Sequence, residues 1–182
     1  MAGRRALVKS LEDDVDALKE DFRHAMRRLA TTIALVTTGR GENRAGIAAT
    51  AVSSVAADPP TLLVVVNRSA SIFPVLHDEA KFCVNLLAER HSSLVHVFGG
   101  AKKGAARFED GAWAESAEGL PVLMDAAASI ICRTTATLDV ATHRLFIGEV
   151  TRIEVHASID PLIWLDGQLA RAECLTQCSA QS

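Results

Sequence analysis

Between Gly46 and Leu87 the chain runs through strand-forming segments with only short helices between them, and this limits the folds open to it. Ala48-Ala49-Thr50-Ala51-Val52-Ser53-Ser54 is a run of small residues, and Asp58-Pro59-Pro60 is a turn. Thr61-Leu62-Leu63-Val64-Val65-Val66 is apolar, Asn67-Arg68-Ser69-Ala70-Ser71 breaks it, and Phe82-Cys83-Val84-Asn85-Leu86-Leu87 resumes the pattern. Parallel strands need long crossover connections, usually helical. Medium strands with turn signals between them predict an antiparallel barrel or sandwich instead.

The remaining segments fit that frame. Leu7, Leu11, Val15, Leu18, Phe22, Met26 and Leu29 recur at steps of three and four, which predicts an N-terminal helix. Ser10 is its expected N-cap, with Glu12, Asp13 and Asp14 in the first turn and Arg23, Arg27 and Arg28 near the end, the signs a helix dipole favours. Strands are expected over 32–38, 46–56, 61–67, 81–87, 127–140 and 143–156, with a last short one over 161–165. Short helices are expected over 71–78, capped by Ser69 or Ser71, and over 89–98; the Gly-, Lys- and acid-rich stretch 99–125 reads as an excursion packed by Phe108 and Trp113. The fold class is therefore α+β, mainly β: one small antiparallel barrel with an N-terminal helix and short flanking helices. The expected division is a helical extension over 1–20, the barrel over 21–170 and a disordered tail over 171–182.

Composition excludes several functions. The 182 residues suffice for one core, and a formal charge of −3 without a basic block argues against nucleic acid. Cys83, Cys132, Cys174 and Cys178 show neither CxxC pairing nor zinc-ligand spacing, so no metal site is expected. No signal core opens the sequence and no run approaches a membrane span, which makes the cytoplasm the expected setting. There is no GxGxxG, HExxH, GxSxG or P-loop.

What remains is a small-residue face beside a polar, basic break. A flat aromatic ligand with a phosphate tail needs both, and a flavin has that shape. Ala48, Ala49, Thr50 and Ala51 are short enough for backbone groups to meet the edge of an isoalloxazine ring, and Ser53 and Ser54 would bond the ribityl chain or phosphate. Asn67, Arg68, Ser69 and Ser71 would hold the phosphate at a helix start. Lys102, Lys103 and Arg107 form a looser basic set within reach. The competing explanations are an Ala-rich strand packed under a helix, a capped helix with a solvated arginine, and surface lysines.

In order along the chain, the segment 22–30 leading into Ala34-Leu35-Val36-Thr37-Thr38, then 46–60, Asn67 to Ser71, Arg107-Phe108, and His143 with Phe146-Ile147-Gly148-Glu149-Val150 resemble the short-chain flavin reductases. These are FMN-binding split barrels that serve two-component flavin-dependent monooxygenases. The resemblance spans roughly residues 20 to 168. It implies a Greek-key split barrel, a homodimer with flavin near the subunit interface, and hydride transfer from NADH or NADPH to FMN or FAD. Reduced flavin would then pass to a separate monooxygenase. It adds Asn85, Arg107 and Phe108 to the expected cofactor contacts and His143 as the candidate catalytic residue. The competing explanation for His143 is a strand histidine satisfied by a neighbouring carbonyl. The chain departs from the family where Ala141-Thr142 stands for the usual Gly-Asp, and where Leu162-Ile163-Trp164-Leu165 replaces an aromatic pattern, with Trp164 as the substitute ring. Three rivals are a barrel flavoprotein that retains its flavin, an oxidase of a pyridoxine-type substrate, and a non-enzymatic interaction protein.

Overall fold

The computed structural model describes residues 2–156 and 159–173. Helix α1 (Ala2–Met26) leads into β1 (Thr31–Thr32), β2 (Ala34–Thr38), β3 (Ala45–Ala49), β4 (Val52–Ala57) and β5 (Pro60–Asn67). Next come α2 (Phe73–Asp78), β6 (Lys81–Leu86), α3 (Ser92–His96), a small hairpin of β7 (Trp113–Glu115) and β8 (Pro121–Leu123), the long β9 (Ala128–Val140) and β10 (His143–Val155), and β11 (Leu162–Leu165) with β12 (Gln168–Arg171).

Seven strands form one antiparallel sheet in the order β3-β2-β6-β9-β10-β5-β4, with the β9–β10 hairpin inserted between β5 and β6. The two edge strands, β3 and β4, are consecutive in the chain and joined only by Thr50-Ala51, so the sheet must curl to bring its edges together. No ladder pairs them, and the barrel stays split along that seam. The stretch 46–56, expected as one strand, is thus two. A single straight strand could not pair with β2 at its start and β5 at its end from opposite edges.

Hydrophobic alternation explains the packing. On β5, Leu62, Val64 and Val66 point inward and join Val36, Phe82, Val84, Cys132 and Phe146 inside the barrel. β2 is buried along its whole length because it has two apolar neighbours: Ala34 and Val36 face the barrel, while Leu35 joins Ile33, Leu94, Phe98, Phe108, Leu123 and Leu162 outside it. Gly148 has no room for a side chain, since an added Cβ would lie 2.6 Å from Phe82 and 2.8 Å from the Cβ of Cys132. Burial pushes the Cys83 and Cys132 thiols up to about 12.

Three other expectations change. α1 begins at Ala2, so Ser10 lies within it rather than capping it, and the helix runs unbroken past residue 20 to Met26. Neither Ser69 nor Ser71 caps α2, whose N-cap residue is Ile72 with no side-chain bond. The strand expected over 161–165 is not the last: Asp166 and Gly167, at φ +50° and +77°, make a two-residue hairpin turn into β12. The expected tail from residue 174 onward lies outside the described residues.

That hairpin is pinned beside the seam. Leu162 N–H donates to Leu87 C=O at 2.9 Å and Ile33 N–H to Leu162 C=O at 3.0 Å, while Arg27 Nε reaches Asp166 Oδ1 at 2.8 Å. The C-terminal turn of α1 and the β11–β12 hairpin therefore flank the Thr50-Ala51 bend.

Candidate active site

Two clefts meet at that bend. One, about 430 Å³, is lined by Ala30, Thr32, Val52, Ser53, Ser54 and Leu62, among others. The other, about 650 Å³, lies between α1 and the β11–β12 hairpin and includes Phe22, Arg23, Met26, Arg27, Trp164 and Ala51. Thr31 and Thr50 line both. Each volume is in the range of pockets that enclose a cofactor-sized ligand. The apolar walls can shield a planar ring, and the hydroxyls of Thr31, Thr50, Ser53 and Ser54 supply hydrogen bonds.

The edge of β3 adds backbone groups. An arginine proton is donated from Arg107 Nη1 to the Gly46 carbonyl, which therefore points away from β2. Peptide groups two residues apart on a strand share a direction, so Ala48 also presents its N–H and C=O to the open edge. Its side chain packs toward Leu35 and Phe98, whereas Ala49 faces the barrel interior.

The polar break lies at the same end of the barrel. Asn67 Oδ1 accepts from the Ser69 N–H and hydroxyl, both at 2.9 Å, an Asx turn that sets the loop. Arg68 donates to the Ala141 carbonyl at 2.6 Å. Ser71 Oγ accepts from Arg107 Nη1 at 3.0 Å, which ties this loop to β3. Burial pulls the Arg107 guanidinium below its usual pKa range, and its Nε also donates to the Lys102 carbonyl at 2.9 Å. Arg107 thus braces the site rather than projecting into it.

His143 opens β10 directly opposite Asn67 on β5, and its Nδ1 lies 3.0 Å from Thr142 Oγ1. β4 and β10 flank β5, so His143 stands two strand spacings, about 10 Å, from the line of the bend. The preceding Ala141 sits at φ +49°, a conformation that costs a residue with a Cβ roughly 1–2 kcal/mol. This strained turn occupies the position where the resemblance has glycine.

Three expected contacts lie elsewhere. Asn85 is fully buried between β2, β8 and β9, with its amide taken up by internal bonds to Leu35, Thr37, Leu123 and Ser129. Phe108 is buried edge-on to Phe98 and Trp113. Lys102 is bound to Asp110 at 2.6 Å and Glu109 at 3.1 Å, and those acids raise its pKa. None of the three offers a free group to a ligand. Conversely, Thr31, Arg23, Arg27 and Asp166 line the cleft unforeseen; their segments carried the resemblance or an Asp-Gly turn signal, but only the hairpin's docking brings them to Thr50.

A family model described as "Flavin reductase like domain" matches residues 26–173. The chain belongs to the flavin reductase-like family. Among similar members of this family, a protein named FMN reductase (NADH) RutF from Variovorax paradoxus is 41% identical over 148 residues, covering 81% of this chain and 82% of its own. A putative flavin reductase from Haemophilus somnus superposes with a TM-score of 0.80 at 30% identity, over 84% of this chain and 98% of its own. The styrene monooxygenase flavin reductase of Pseudomonas putida S12 gives 0.77 at 26% identity, over 86% and 99%. Those two structures carry the split-barrel architecture described above.

Proposed function

We propose that this chain is an NAD(P)H-dependent flavin reductase that delivers reduced FMN or FAD to a separate monooxygenase. The observation that carries the reading is the paired cleft at Thr50, walled by small residues and hydroxyls, in a chain of the flavin reductase-like family. The relatives named FMN reductase (NADH) favour FMN and NADH, and the styrene monooxygenase reductase supports a monooxygenase partner.

The residues present fit a flavin: an open strand edge at Ala48, a cleft floored by Thr50, Ser53 and Ser54, and a hydroxyl-rich loop over Asn67 to Ser71. When bound, the flavin supplies the acceptor for the hydride that NADH or NADPH gives up. The chain's part is orientation and exclusion of water, because hydride transfer needs no protein nucleophile. Val52 and Leu62 keep one cleft dry, while Phe22, Met26 and Trp164 give the other an apolar wall on which a nicotinamide can rest.

Anaerobic stopped-flow mixing with excess FMN or FAD and NADH or NADPH tests the reading. Many flavins bleached per protein molecule are expected, with FMN and NADH fastest. Bleaching of a single retained flavin would make the chain a flavoprotein with another substrate, and no bleaching with any pair would sink the proposal.

His143 is assigned a positioning role for the nicotinamide. His143→Ala is expected to lower kcat by about tenfold to a hundredfold while the flavin Kd stays unchanged, since a misplacement of about 1 Å can cost a hundredfold. An unaltered kcat would remove His143 from the site.

The chain is also proposed to act as a homodimer. Val15, Leu18, Phe22 and Met26 on α1 are 44–70% exposed; Leu138 and Val140 at the turn end of the β9–β10 hairpin and Ile153 and Val155 at its opposite end are 52–74% exposed. Apolar surface on this scale marks an interface. Sedimentation equilibrium should give twice the chain mass, and Ile153→Asp should shift the species toward monomer. A wild-type monomer at micromolar concentration would contradict this.

A further inference from the structure

At the other end of β3, roughly 20 Å along the strand from Thr50, two arginines converge on a small notch. The notch, about 140 Å³, is lined by Arg40, Gly41, Arg44, Trp113, Glu115 and Pro121, among others. Arg40 comes from the turn after β2 and lies flat on Gly119: a Cβ added to that glycine would meet the guanidinium at 3.3 Å. Arg44 immediately precedes β3, and its guanidinium carbon stands 5.0 Å over the Phe108 ring.

Both heads are held in place by packing. Among the described residues no ion pair reaches Arg40 or Arg44, although Glu115 lines the same notch. Among the described residues, the buried Arg44 Nε has no hydrogen-bond partner. An orphaned donor on a charged group costs on the order of 1–3 kcal/mol or more unless something accepts its proton. The notch has room for one small anion such as phosphate.

We infer that Arg40 and Arg44 form a phosphate-binding site separate from the Thr50 cleft. Two guanidinium forks match the charge and the several acceptor oxygens of a dianion. The phosphate can be free inorganic phosphate or the terminal phosphate of a nucleotide. The site stands on the two arginines and the unpartnered Nε alone, independently of the reductase reading.

Isothermal titration of the full chain with inorganic phosphate, at constant ionic strength in a phosphate-free buffer, tests this. Saturable binding is expected in the wild type, weakened at least tenfold by Arg40→Gln. Arg40 is exposed, so that variant keeps its fold, which far-UV circular dichroism checks. Arg44→Gln should weaken binding likewise. Phosphate binding that survives Arg40→Gln, or no binding in the wild type, overturns the assignment. Titration with 5′-AMP then separates the sources. Binding with the same dependence on Arg40 supports a nucleotide phosphate, and failure of AMP where phosphate binds supports the free ion.

Discussion

Replacing Thr50 with tryptophan is expected to cut flavin turnover by about 100-fold or more while leaving the melting temperature within a few degrees of wild type. Thr50 lines both clefts, so an indole there intrudes on each at once. The fold tolerates it because Thr50 is exposed and lies between β3 and β4, outside every ladder. A shift of about 1 Å in a reacting ring can cost a hundredfold, and an obstructed cleft costs at least that. Thr50→Ser, which keeps the hydroxyl and adds no volume, should retain most of the activity. Steady-state oxidation of NADH in excess FMN reads both variants. Wild-type turnover in Thr50→Trp would place the chemistry away from the seam.

Asn85→Ala is expected to destabilise the protein by about 3–5 kcal/mol, a large share of the 5–15 kcal/mol typical of whole proteins. Asn85 Nδ2 donates to Leu35 C=O at 3.1 Å and to Thr37 Oγ1 at 3.2 Å, and its Oδ1 accepts from Leu123 N–H at 2.9 Å and Ser129 Oγ at 3.0 Å. One side chain on β6 thus joins β2, β8 and β9 at a fully buried point. Truncation leaves several polar groups unpaired out of reach of water, each costing about 1–3 kcal/mol. Urea unfolding measures the change. The experiment also decides between two roles, because a cofactor contact would show the reverse: flavin affinity lost with stability kept.

The legible part of this chain was its β architecture. β2, β5, β6, β9 and β10 carry continuous or alternating apolar runs, and such patterns report burial directly. The Asp58-Pro59-Pro60 turn pairs Ala57 with Pro60 as a hairpin end. What the pattern could not show was the split of 46–56 at Thr50-Ala51, because small residues suit a strand and a bend equally. β12 escaped because Gln168-Leu169-Ala170-Arg171 is short and mostly exposed, although Asp166-Gly167 announced a hairpin. Asn85 was misleading for a related reason. A lone polar residue in an apolar strand is as consistent with a ligand contact as with an internal hub, and only its four partners from distant segments point to the hub. The seam cleft was half legible: its small residues stood out, but its opposite wall arrives by long-range docking of α1 and the β11–β12 hairpin.

The split seam also bears on how this sheet avoids growing. A seven-stranded sheet with raw edges is a template for strands from other molecules. Here the last residue of β3 and the first of β4 are three peptide links apart, a span of at most about 11 Å. That is little more than two strand spacings. Near the bend a foreign strand would have to squeeze between two edges leashed to each other, with no freedom for either to swing aside. Farther along, the β3 edge is blocked by the Arg107 side chain at Gly46. The seam is thus too tightly tethered to admit a polypeptide, and the protection of the sheet's edges and the paired clefts at Thr50 draw on the same two-residue link.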